Sequence, residues 1–481
     1  MNLDPKYKKI TCFVLAIVVI CLIITGFILF KLVDDVDASS NEYWFFKESL
    51  ETGQEIELKN AYILANENGK LEFMHDFETY VVEGNLEDVY QGVANIIISG
   101  DHIAKIGVKP GIIRVIIKNN DSIFRNELNI KKLSDSSMIN VTEIMQVNGL
   151  KVLELTDEQG FVICDAYGQS LSAAYEGVFR VVKTEDGIVL VNELPMETYV
   201  KYVLPSEMPI SFGAEALKAQ AVCARTYAYA QMKNTSYAMY AANLDDSTDF
   251  QAYNKEGRYT ETDMAVDATS DQVLTCNGEL ISCYYYSTSA GVTNDMSTWE
   301  GEDTAYISCA GLEFTNGLNL CNEADFSQFI CSQNMCYDSI SAFYRWNATL
   351  NILELKESEN GKLRSIEVHT RNQAGYITEI ELKYENETKV LKNENEIRKV
   401  LGKYLTEINL NNGTIRTDLS MLPSACFEVV SVSDETIILR GGGFGHGIGM
   451  SQYGAKSMAE TGFSYEDIVK YYYKDVEIST K

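Results

Sequence analysis

The chain has 481 residues, of which 46% are hydrophobic and 23% are charged, and this excludes both a disordered protein and a single small domain. Its net charge is −29 at pH 7, because 69 acidic residues oppose 40 basic ones. Binding to DNA or RNA needs a basic surface that neutralises phosphates, so we expect no nucleic-acid partner. The same charge repels anionic lipid, and any membrane contact therefore requires a dedicated segment.

The N-terminal segment has the features of a membrane anchor. Residues 12–30 carry no charge and are numerous enough for a helix to cross ~30 Å of hydrocarbon. Three lysines precede this stretch and acidic residues follow it, which predicts that residues 1–11 are cytoplasmic and that the C-terminal domains are extracytoplasmic. A cleaved signal peptide is the alternative, but no small-x-small cleavage site follows. We therefore predict a single-pass membrane protein anchored by residues 12–33.

The cysteines leave the redox state of the chain open. Nine of the eleven lie beyond the predicted anchor, and an odd number cannot all pair with one another. Four of them form a cluster that is compatible with one or two disulfides or with buried thiols: Cys309, Cys321, Cys331 and Cys336. The cluster has no CxxC pair and no histidine at ligand spacing, which argues against a zinc site there.

The remaining chain is predicted to have an α+β fold in two parts. Residues 34–150 contain strand patterns such as GIIRVIIK and no recognisable chemistry, and are interpreted as a small accessory domain. Residues 151–481 are predicted to form a mixed, β-rich catalytic domain with a few helices. Its predicted elements are a hairpin of residues 178–182 and 188–191, a helix from Ala214 to Met232, short helices near 394–401 and 451–460, and a last helix capped by Ser464 and Asp467.

The first candidate catalytic residue is Glu207. It lies between Pro205 and Pro209, and no basic residue occurs within four positions. We interpret the two prolines as a rigid turn that desolvates the carboxyl, raises its pKa and makes it a general acid. A structural role, as a cap or as a partner of its own turn, is the alternative.

Two cations lie on the predicted helix that follows. Lys218 and Arg225 are seven residues apart, which places both side chains on the same helical face. In an acidic protein, such a pair suits the binding of a substrate carboxylate. Two solvated charges are the alternative interpretation.

Two further segments have an unusual composition. The stretch YYYSTSAGVT from Tyr284 to Thr293 combines aromatic rings with hydroxyls, which suits either a sugar or a core strand. The stretch GGGFGHGIGMSQYGA from Gly441 to Ala455 places His446 between glycines, where the backbone can approach a ligand or adopt left-handed conformations. The second stretch lacks the G-x-S-x-G spacing of a serine hydrolase and the Lys-Ser or Lys-Thr of a phosphate-binding loop.

Together and in this order, these segments resemble the SpoIID/LytB family, named for stage II sporulation protein D. The match covers Pro195–Tyr227, Ile281–Tyr306 and Leu439–Val476, and the motif GHGxGMSQ is its most specific part. The resemblance implies a lytic transglycosylase that acts on peptidoglycan strands stripped of stem peptides. It implies that Glu207 is catalytic, and we predict as substrate-binding residues Lys218, Arg225, Ser287, Thr288, Tyr306, His446, Ser451, Gln452 and Tyr453.

The chain departs from the family pattern at one turn. Tyr286 stands where relatives often have a histidine, and Ala290 replaces the first glycine of the S-T-x-G-G turn. Some relatives are thought to hold zinc near that histidine, so we expect no metal and no other cofactor here.

The resemblance also implies a mechanism in which one carboxyl acts twice. Protonated Glu207 would protonate the oxygen between N-acetylmuramic acid (MurNAc) and N-acetylglucosamine (GlcNAc), and its carboxylate would then accept the C6 hydroxyl proton, giving a 1,6-anhydro end. Hydrolases need a second carboxylate, whereas this reaction does not. The expected context is sporulation, engulfment or wall remodelling, with a cell-wall amidase as a possible partner. The alternatives are a non-catalytic glycan-binding enhancer of that amidase and a purely structural component of a sporulation complex.

Overall fold

The computed structural model describes residues 43–67, 69–83, 92–108, 111–299, 304–333, 335–353 and 361–481. These residues form two compact units, one that ends at residue 108 and one that begins at residue 111. The predicted cytoplasmic tail and membrane anchor lie outside the described residues. Among the residues that are described, no helix is both long enough and apolar enough to cross a membrane.

The first unit is a helix packed on an antiparallel sheet. Helix α1 (Trp44–Thr52) ends at Gly53, which adopts the left-handed conformation with φ 65°. The sheet has the strand order β3-β2-β1-β4-β5. Its strands are β1 (Ile56–Glu67), β2 (Lys70–His75), β3 (Glu78–Glu83), β4 (Gly92–Ser99) and β5 (His102–Val108). Alternate residues of β4 are buried, as expected for a strand with one face on a core.

The second unit begins earlier in the chain than the expected boundary at residue 150. Strand β6 (Ile112–Ile116), which lies within GIIRVIIK, is hydrogen-bonded to residues 191–195. The predicted hairpin is confirmed, and it joins β6 in a five-stranded sheet. The pairing of β6 with β12 places β6 in the second unit, so the boundary between the units lies near residue 110. Sequence analysis missed this boundary because pairing between distant strands leaves no local signal.

The remaining strands of the second unit form several small sheets. Up to residue 286 they are β7 (Asn129–Lys132), β8 (Met138–Asn140), β9 (Val152–Thr156), β10 (Phe161–Cys164), β11 (Val178–Lys183), β12 (Ile188–Pro195), β13 (Leu244–Asp245), β14 (Gln272–Cys276), β15 (Glu279–Leu280) and β16 (Tyr285–Tyr286). After it they are β17 (Trp346–Asn351), β18 (Leu363–Arg371), β19 (Ile377–Tyr384), β20 (Thr388–Leu391), β21 (Leu405–Leu410), β22 (Ile415–Arg416), β23 (Phe427–Val432), β24 (Thr436–Gly441), β25 (Met450–Ser451) and β26 (Glu477–Thr480). The predicted α+β class is confirmed.

The described residues of the second unit include eight α-helices, and four of them pack against one helix that is rich in alanine. They are α2 (Val141–Val147), α3 (Met196–Glu207), α4 (Ala214–Gln231), α5 (Thr260–Ala268), α6 (Glu323–Cys331), α7 (Glu394–Gly402), α8 (Gln452–Glu460) and α9 (Tyr465–Tyr472). Helix α4 contacts α3, α5, α8 and α9, because its small alanine side chains allow close approach. The predicted capping box of Ser464 and Asp467 is present at the start of α9.

Two sheets and their helices form the main cores of this unit. One core contains α3, α4 and the sheet with order β13-β6-β12-β11-β9. A separate core lies under the sheet with order β22-β21-β17-β24-β23 and includes Trp346, Ile397 and Leu439. All nine cysteines in the described residues are free thiols, including the four of the 309–336 cluster.

Candidate functional site

Glu207 is the last residue of α3, not part of a stiff turn between two prolines. Pro205 lies inside the final helical turn, and the N–H of Met208 caps the helix by donating to the carbonyl of Leu204. Pro209 follows this cap, where a proline prevents the helix from continuing. The predicted turn was wrong because a proline near the end of a helix costs only one internal hydrogen bond, which the packing of α3 outweighs.

Glu207 is a half-buried residue whose carboxyl lies deep enough for burial to dominate its pKa. Burial raises its pKa from 4.5 to about 7, and the single opposing contribution is a 2.5 Å hydrogen bond that the Ala252 N–H donates to its Oε1. No cation or second carboxylate of the described residues contributes to this pKa. The pKa of Glu207 is therefore raised, as predicted, but the cause is burial at the end of a helix and not a turn between two prolines.

Three tyrosine side chains lie near enough to this carboxyl to be affected by its charge. The hydroxyls of Tyr199, Tyr227 and Tyr285 have raised pKa values, mainly through burial and partly through the negative charge of Glu207. These hydroxyls stay protonated at neutral pH and act as neutral hydrogen-bonding groups. The walls of the site thus favour the uncharged form of the glutamic acid over its carboxylate.

A buried glutamine, which sequence analysis missed, orders these tyrosines. Tyr199 donates to Gln251 Oε1 at 3.0 Å, and Gln251 Nε2 donates to the hydroxyl of Tyr285 at 2.9 Å. Gln251 directly precedes Ala252, whose N–H contacts Glu207. No local pattern marks Gln251, because its burial results from a loop folding back onto α3.

The C-terminal motif reaches Glu207 through Gln452. Its Nε2 donates to the main-chain carbonyl of Glu207 at 3.1 Å, and its neighbour Tyr453 packs edge-on against Phe212 at 4.9 Å. The motif is held there by β25, which pairs in parallel with β16. The structure thus brings Gln452 and Tyr453 next to the predicted catalytic residue.

The hydroxyl residues of the two motifs divide into two groups. Ser287 is partly exposed, and its carbonyl accepts from the N–H of Tyr453 at 3.0 Å. Thr288 and Ser451 are buried, and they bond to Ser341 and Asp338 respectively. The predicted substrate contacts of Thr288 and Ser451 are corrected, because both hydroxyls are buried and hydrogen-bonded within the protein.

Asp338 is a second buried carboxyl that sequence analysis missed. Burial raises its pKa to about 6, while hydrogen bonds from Ser451 and Ser289 act in the opposite direction. Ser289 donates through its N–H at 2.8 Å and its hydroxyl at 2.7 Å. Because Ser451 also caps α8, Asp338 joins the STSAG turn to the helix that carries Gln452.

Arg225 is not available to a substrate. Its side chain has no exposed surface, and its guanidinium forms a bidentate ion pair with Glu197 at 2.6 and 2.7 Å. Its other donors reach the carbonyls of Gln272 and Val266. The predicted pairing with a substrate carboxylate is therefore corrected, because internal acceptors satisfy the buried charge.

Lys218 keeps a partly exposed ammonium. Its side chain is 27% exposed and pairs with Glu215 one helical turn earlier at 2.7 Å. Lys218 and Arg225 thus do not form a joint cationic surface, although both lie on α4 as predicted.

His446 is a neutral, internally bonded residue. Its Nε2 lies 3.0 Å from the carbonyl of Tyr285 and its Nδ1 lies 3.1 Å from the N–H of Ile448, which assigns the proton to Nε2. Burial lowers its pKa to about 3. The ring is partly accessible to solvent, but both of its nitrogens are bonded within the protein, so the expected contact of His446 with a substrate is corrected. Its bond to the carbonyl of Tyr285 instead makes it a positioning residue.

Tyr306 also has an internal role. Its hydroxyl accepts a hydrogen bond from the N–H of Ser282 at 3.0 Å. It packs at the edge of the core that contains α4. The structure therefore does not place its hydroxyl with the groups around Glu207.

The glycines around His446 serve chain packing. Gly443, Gly445, Gly447 and Gly449 all have positive φ values, between 80° and 117°. A Cβ on Gly449 would lie 2.0 Å from the carbonyl oxygen of Tyr284. Only glycine allows this loop to lie directly against Tyr284 and the adjoining strand β16.

Comparisons with known proteins agree with this geometry. A family model described as Stage II sporulation protein, SpoIID, matches residues 184–276, which include α3 and α4, and a second model described only as a domain of unknown function matches residues 293–408. The chain belongs to the SpoIID/LytB family.

Three relatives show the range of proteins that this chain resembles. Stage II sporulation protein D of Bacillus subtilis is 32% identical over 60% of this chain and 76% of its own length. An uncharacterized protein of Brachyspira hyodysenteriae is 30% identical over 71% of this chain and 83% of its own length. The amidase enhancer of Bacillus subtilis is 30% identical over 58% of this chain and 40% of its own length.

Proposed function

We propose that this protein is a peptidoglycan lytic transglycosylase that cleaves the MurNAc–GlcNAc bond of denuded glycan strands and leaves 1,6-anhydro-MurNAc ends. Glu207 is the acid and base of this reaction. The observation that carries the proposal is its pKa of about 7 in a site with no neighbouring cation among the described residues. A group with this pKa is substantially protonated near neutral pH and can both release and recover a proton.

The reaction needs only the groups that surround Glu207. The protonated carboxyl gives its proton to the glycosidic oxygen as the bond from this oxygen to C1 breaks. The resulting carboxylate takes the proton of the MurNAc C6 hydroxyl, whose oxygen forms the new bond to C1. Glu207 is then protonated again, and no water is consumed.

The lack of an electrostatically coupled carboxylate supports a lytic rather than a hydrolytic reaction. Glycoside hydrolases use a second carboxylate as nucleophile or as base for water. Among the described residues, no second carboxylate contributes to the pKa of Glu207. The hydroxyls of Tyr285 and Tyr227 offer neutral hydrogen bonds to sugar oxygens instead.

Besides these tyrosines, three side chains are assigned to the glycan in this proposal, and a fourth holds the catalytic residue in place. Tyr453 and Ser287 flank the contact between Gln452 and Glu207, and Gln452 positions the catalytic residue. Lys218 is the remaining candidate for the lactyl carboxylate of a muramic acid that has lost its stem peptide.

The proposal includes a membrane anchor. Residues 12–33 hold the protein in the membrane with an extracytoplasmic catalytic unit, where peptidoglycan is accessible. The uncharged stretch of residues 12–30 and the lysines before it support this arrangement. The proposal also includes a role in sporulation, engulfment or wall remodelling, and the similarity to a relative described as Stage II sporulation protein D supports it.

The second candidate is a non-catalytic enhancer of a cell-wall amidase. The 30% identity to a relative described as an amidase enhancer favours it. In this case the site would hold a glycan while the partner enzyme cleaves. The desolvated acid at Glu207 argues for catalysis, because glycan binding alone does not require a proton donor.

The test is mass spectrometry of denuded strands incubated with the full-length protein and with Glu207→Gln. We expect anhydro-muramic products from the first and a loss of roughly 10²–10⁴-fold in the second, the usual contribution of a general acid. Glu185→Gln, on an exposed turn, is the matched control. Strand binding without cleavage by either protein would contradict the enzyme and favour the enhancer.

A further inference from the structure

A row of polar side chains crosses the outer face of a sheet far along the chain from Glu207. Asn347 on β17 lies directly opposite Asn409 on β21 and Arg440 on β24. Arg440 in turn lies opposite Glu428 on β23. Directly opposed residues point to the same face, so these four side chains form one row across four strands, with about 4.8 Å between neighbouring strands.

The opposite face of the same strands is a hydrophobic core. The residues next to the row in sequence are buried there, among them Ala348, Ile408 and Leu439. An outer sheet face with polar residues is ordinary when it is open to water. Here a segment at the end of α6, residues 331–333, lies beside the row and lines a cavity with it.

One side-chain contact joins that segment to the row, and another joins it to Asn411, just beyond the end of β21. Gln333 Nε2 donates to Asn411 Oδ1 at 3.2 Å, and Cys331 contacts the guanidinium of Arg440. Between the segment and the row is a cavity of about 470 Å³, lined by polar side chains as well as by Trp346 and Leu410. This volume lies within the range of small-ligand sites.

A buried cation also lines the cavity. Arg345 is 6% exposed, and its guanidinium donates only to oxygens without a full charge: the carbonyls of Ser332, Ala290, Tyr344 and Phe329 and the hydroxyl of Tyr344. No carboxylate of the described residues forms an ion pair with it. Its field favours ligands that present electron-rich oxygens to the cavity.

The charges in and around the row are nearly balanced. Glu428 accepts from Arg440 at 3.0 Å, and Glu407 accepts from the side-chain amide of Asn409 at 3.2 Å. Two carboxylates beside two guanidinium groups disfavour a phosphate or another strongly anionic ligand. The amide of Asn347 and the Nε and Nη2 of Arg440 have no protein partner among the described residues, so both donors and acceptors remain for a ligand.

We propose that this cavity is a second glycan-binding site, which takes uncharged N-acetylated sugar units of the strand that the protein acts on. Planar amides and a guanidinium group match the hydroxyl and acetamido groups of such sugars, which both donate and accept hydrogen bonds. The identity of the ligand rests on the proposed function, whereas the existence of the site rests on the row and its cavity. A second site adds affinity for long strands, because both contacts are made by one ligand.

The experiment is a calorimetric titration of full-length Glu207→Gln protein with tri-N-acetylchitotriose, a neutral N-acetylated probe. We expect two binding events. Asn347→Ala/Asn409→Ala in this background removes up to two hydrogen bonds and weakens one event about ten-fold or more, while the other is unchanged. Tyr453→Ala affects the other event instead, and Asn386→Ala, on an exposed turn outside the cavity, affects neither.

The outcomes separate this proposal from the catalytic one. A single binding event in the parent protein, or two events unaffected by the double substitution, overturns the second site. Asn347→Asp keeps the size of the side chain, so it tests the site without leaving a gap in the sheet. It places a charge in a nearly balanced row, and we expect it to weaken the same binding event. Binding at this site without strand cleavage by wild-type protein would contradict only the proposed enzyme.

Discussion

The side chain of Gln452 donates a hydrogen bond to the main-chain carbonyl of Glu207 at 3.1 Å, across 245 positions of sequence. This carbonyl belongs to the last residue of α3, where no further helical turn supplies a partner. Gln452 therefore satisfies an otherwise unpaired helix end and fixes the backbone from which the catalytic side chain projects. The GMSQ motif contributes to the site mainly by this fixation.

Substitution of Gln452 should reduce turnover more than stability. Gln452→Ala removes the hydrogen bond to Glu207 and a longer one, of 3.5 Å, to Gln220 Oε1, and it lowers the free energy of unfolding by about 1–2 kcal/mol. The freed end of α3 lets the carboxyl of Glu207 move, so we expect kcat to fall about ten-fold or more in the strand-cleavage assay. Gln146→Ala, an exposed position on α2, is the matched control. An unchanged kcat would show that Gln452 does not position Glu207.

The raised pKa of Glu207 makes stability depend on pH in a defined direction. The folded protein keeps this proton up to a pKa of about 7, whereas the unfolded chain loses it near 4.5, so the protonated carboxyl stabilises the fold at low pH. That contribution is complete below pH 4.5 and is lost as the pH rises through 7. Glu207→Gln cannot ionise and does not suffer this loss.

We therefore expect Glu207→Gln to match wild type at pH 5 and to exceed it by about 2 kcal/mol at pH 8, after allowance for partial solvent access. Urea unfolding at both pH values measures the difference. Glu185→Gln should show no such pH-dependent gain. A mutant less stable than wild type at pH 8 would be inconsistent with a desolvated carboxyl.

Loss of Arg225 should affect folding and not substrate binding. Arg225→Gln leaves Glu197 without its bidentate partner and should cost about 3–5 kcal/mol, measured by chemical unfolding. Arg225→Lys should recover only part of this, because an ammonium cannot form the paired contact. The KM of the folded fraction should remain unchanged. A raised KM of the Arg225 variants with normal stability would instead support a direct contact between Arg225 and the substrate.

Lys218 should show the opposite behaviour. Lys218→Met removes the partly exposed ammonium and a surface pair with Glu215 that is worth only about 0.3–0.5 kcal/mol. We expect the KM for denuded strands to rise about ten-fold, with kcat and thermal stability nearly constant. Lys151→Met, another exposed lysine, controls for the change in net charge. If KM does not change, Lys218 does not bind the lactyl carboxylate.

The chain itself contains the signals for its local elements. The alanines of α4, the hairpin of β11 and β12, and the Ser464–Asp467 cap act over a few residues, so their patterns predicted these elements well. The same holds for the order of the three motifs, which identified the family before any distance was known. Glu207 was found in this way as well, although its supposed proline turn is the end of a helix.

Burial and partnership across the chain were decided only by the tertiary structure. The seven-residue spacing predicted that Lys218 and Arg225 share one face of a helix. In the structure, the guanidinium of Arg225 is paired with the Glu197 carboxylate and with the carbonyls of Gln272 and Val266, so it is not available to a ligand. The glycines on both sides of His446 predicted an exposed side chain. In the structure they let the loop approach Tyr284 and Tyr285 closely, and desolvation lowers the pKa of the imidazole so that it stays neutral. Local sequence sets which conformations a segment prefers, whereas the solvation of a charge depends on atoms that lie far away in the sequence, from 28 positions for Arg225 and Glu197 to 161 for His446 and Tyr285.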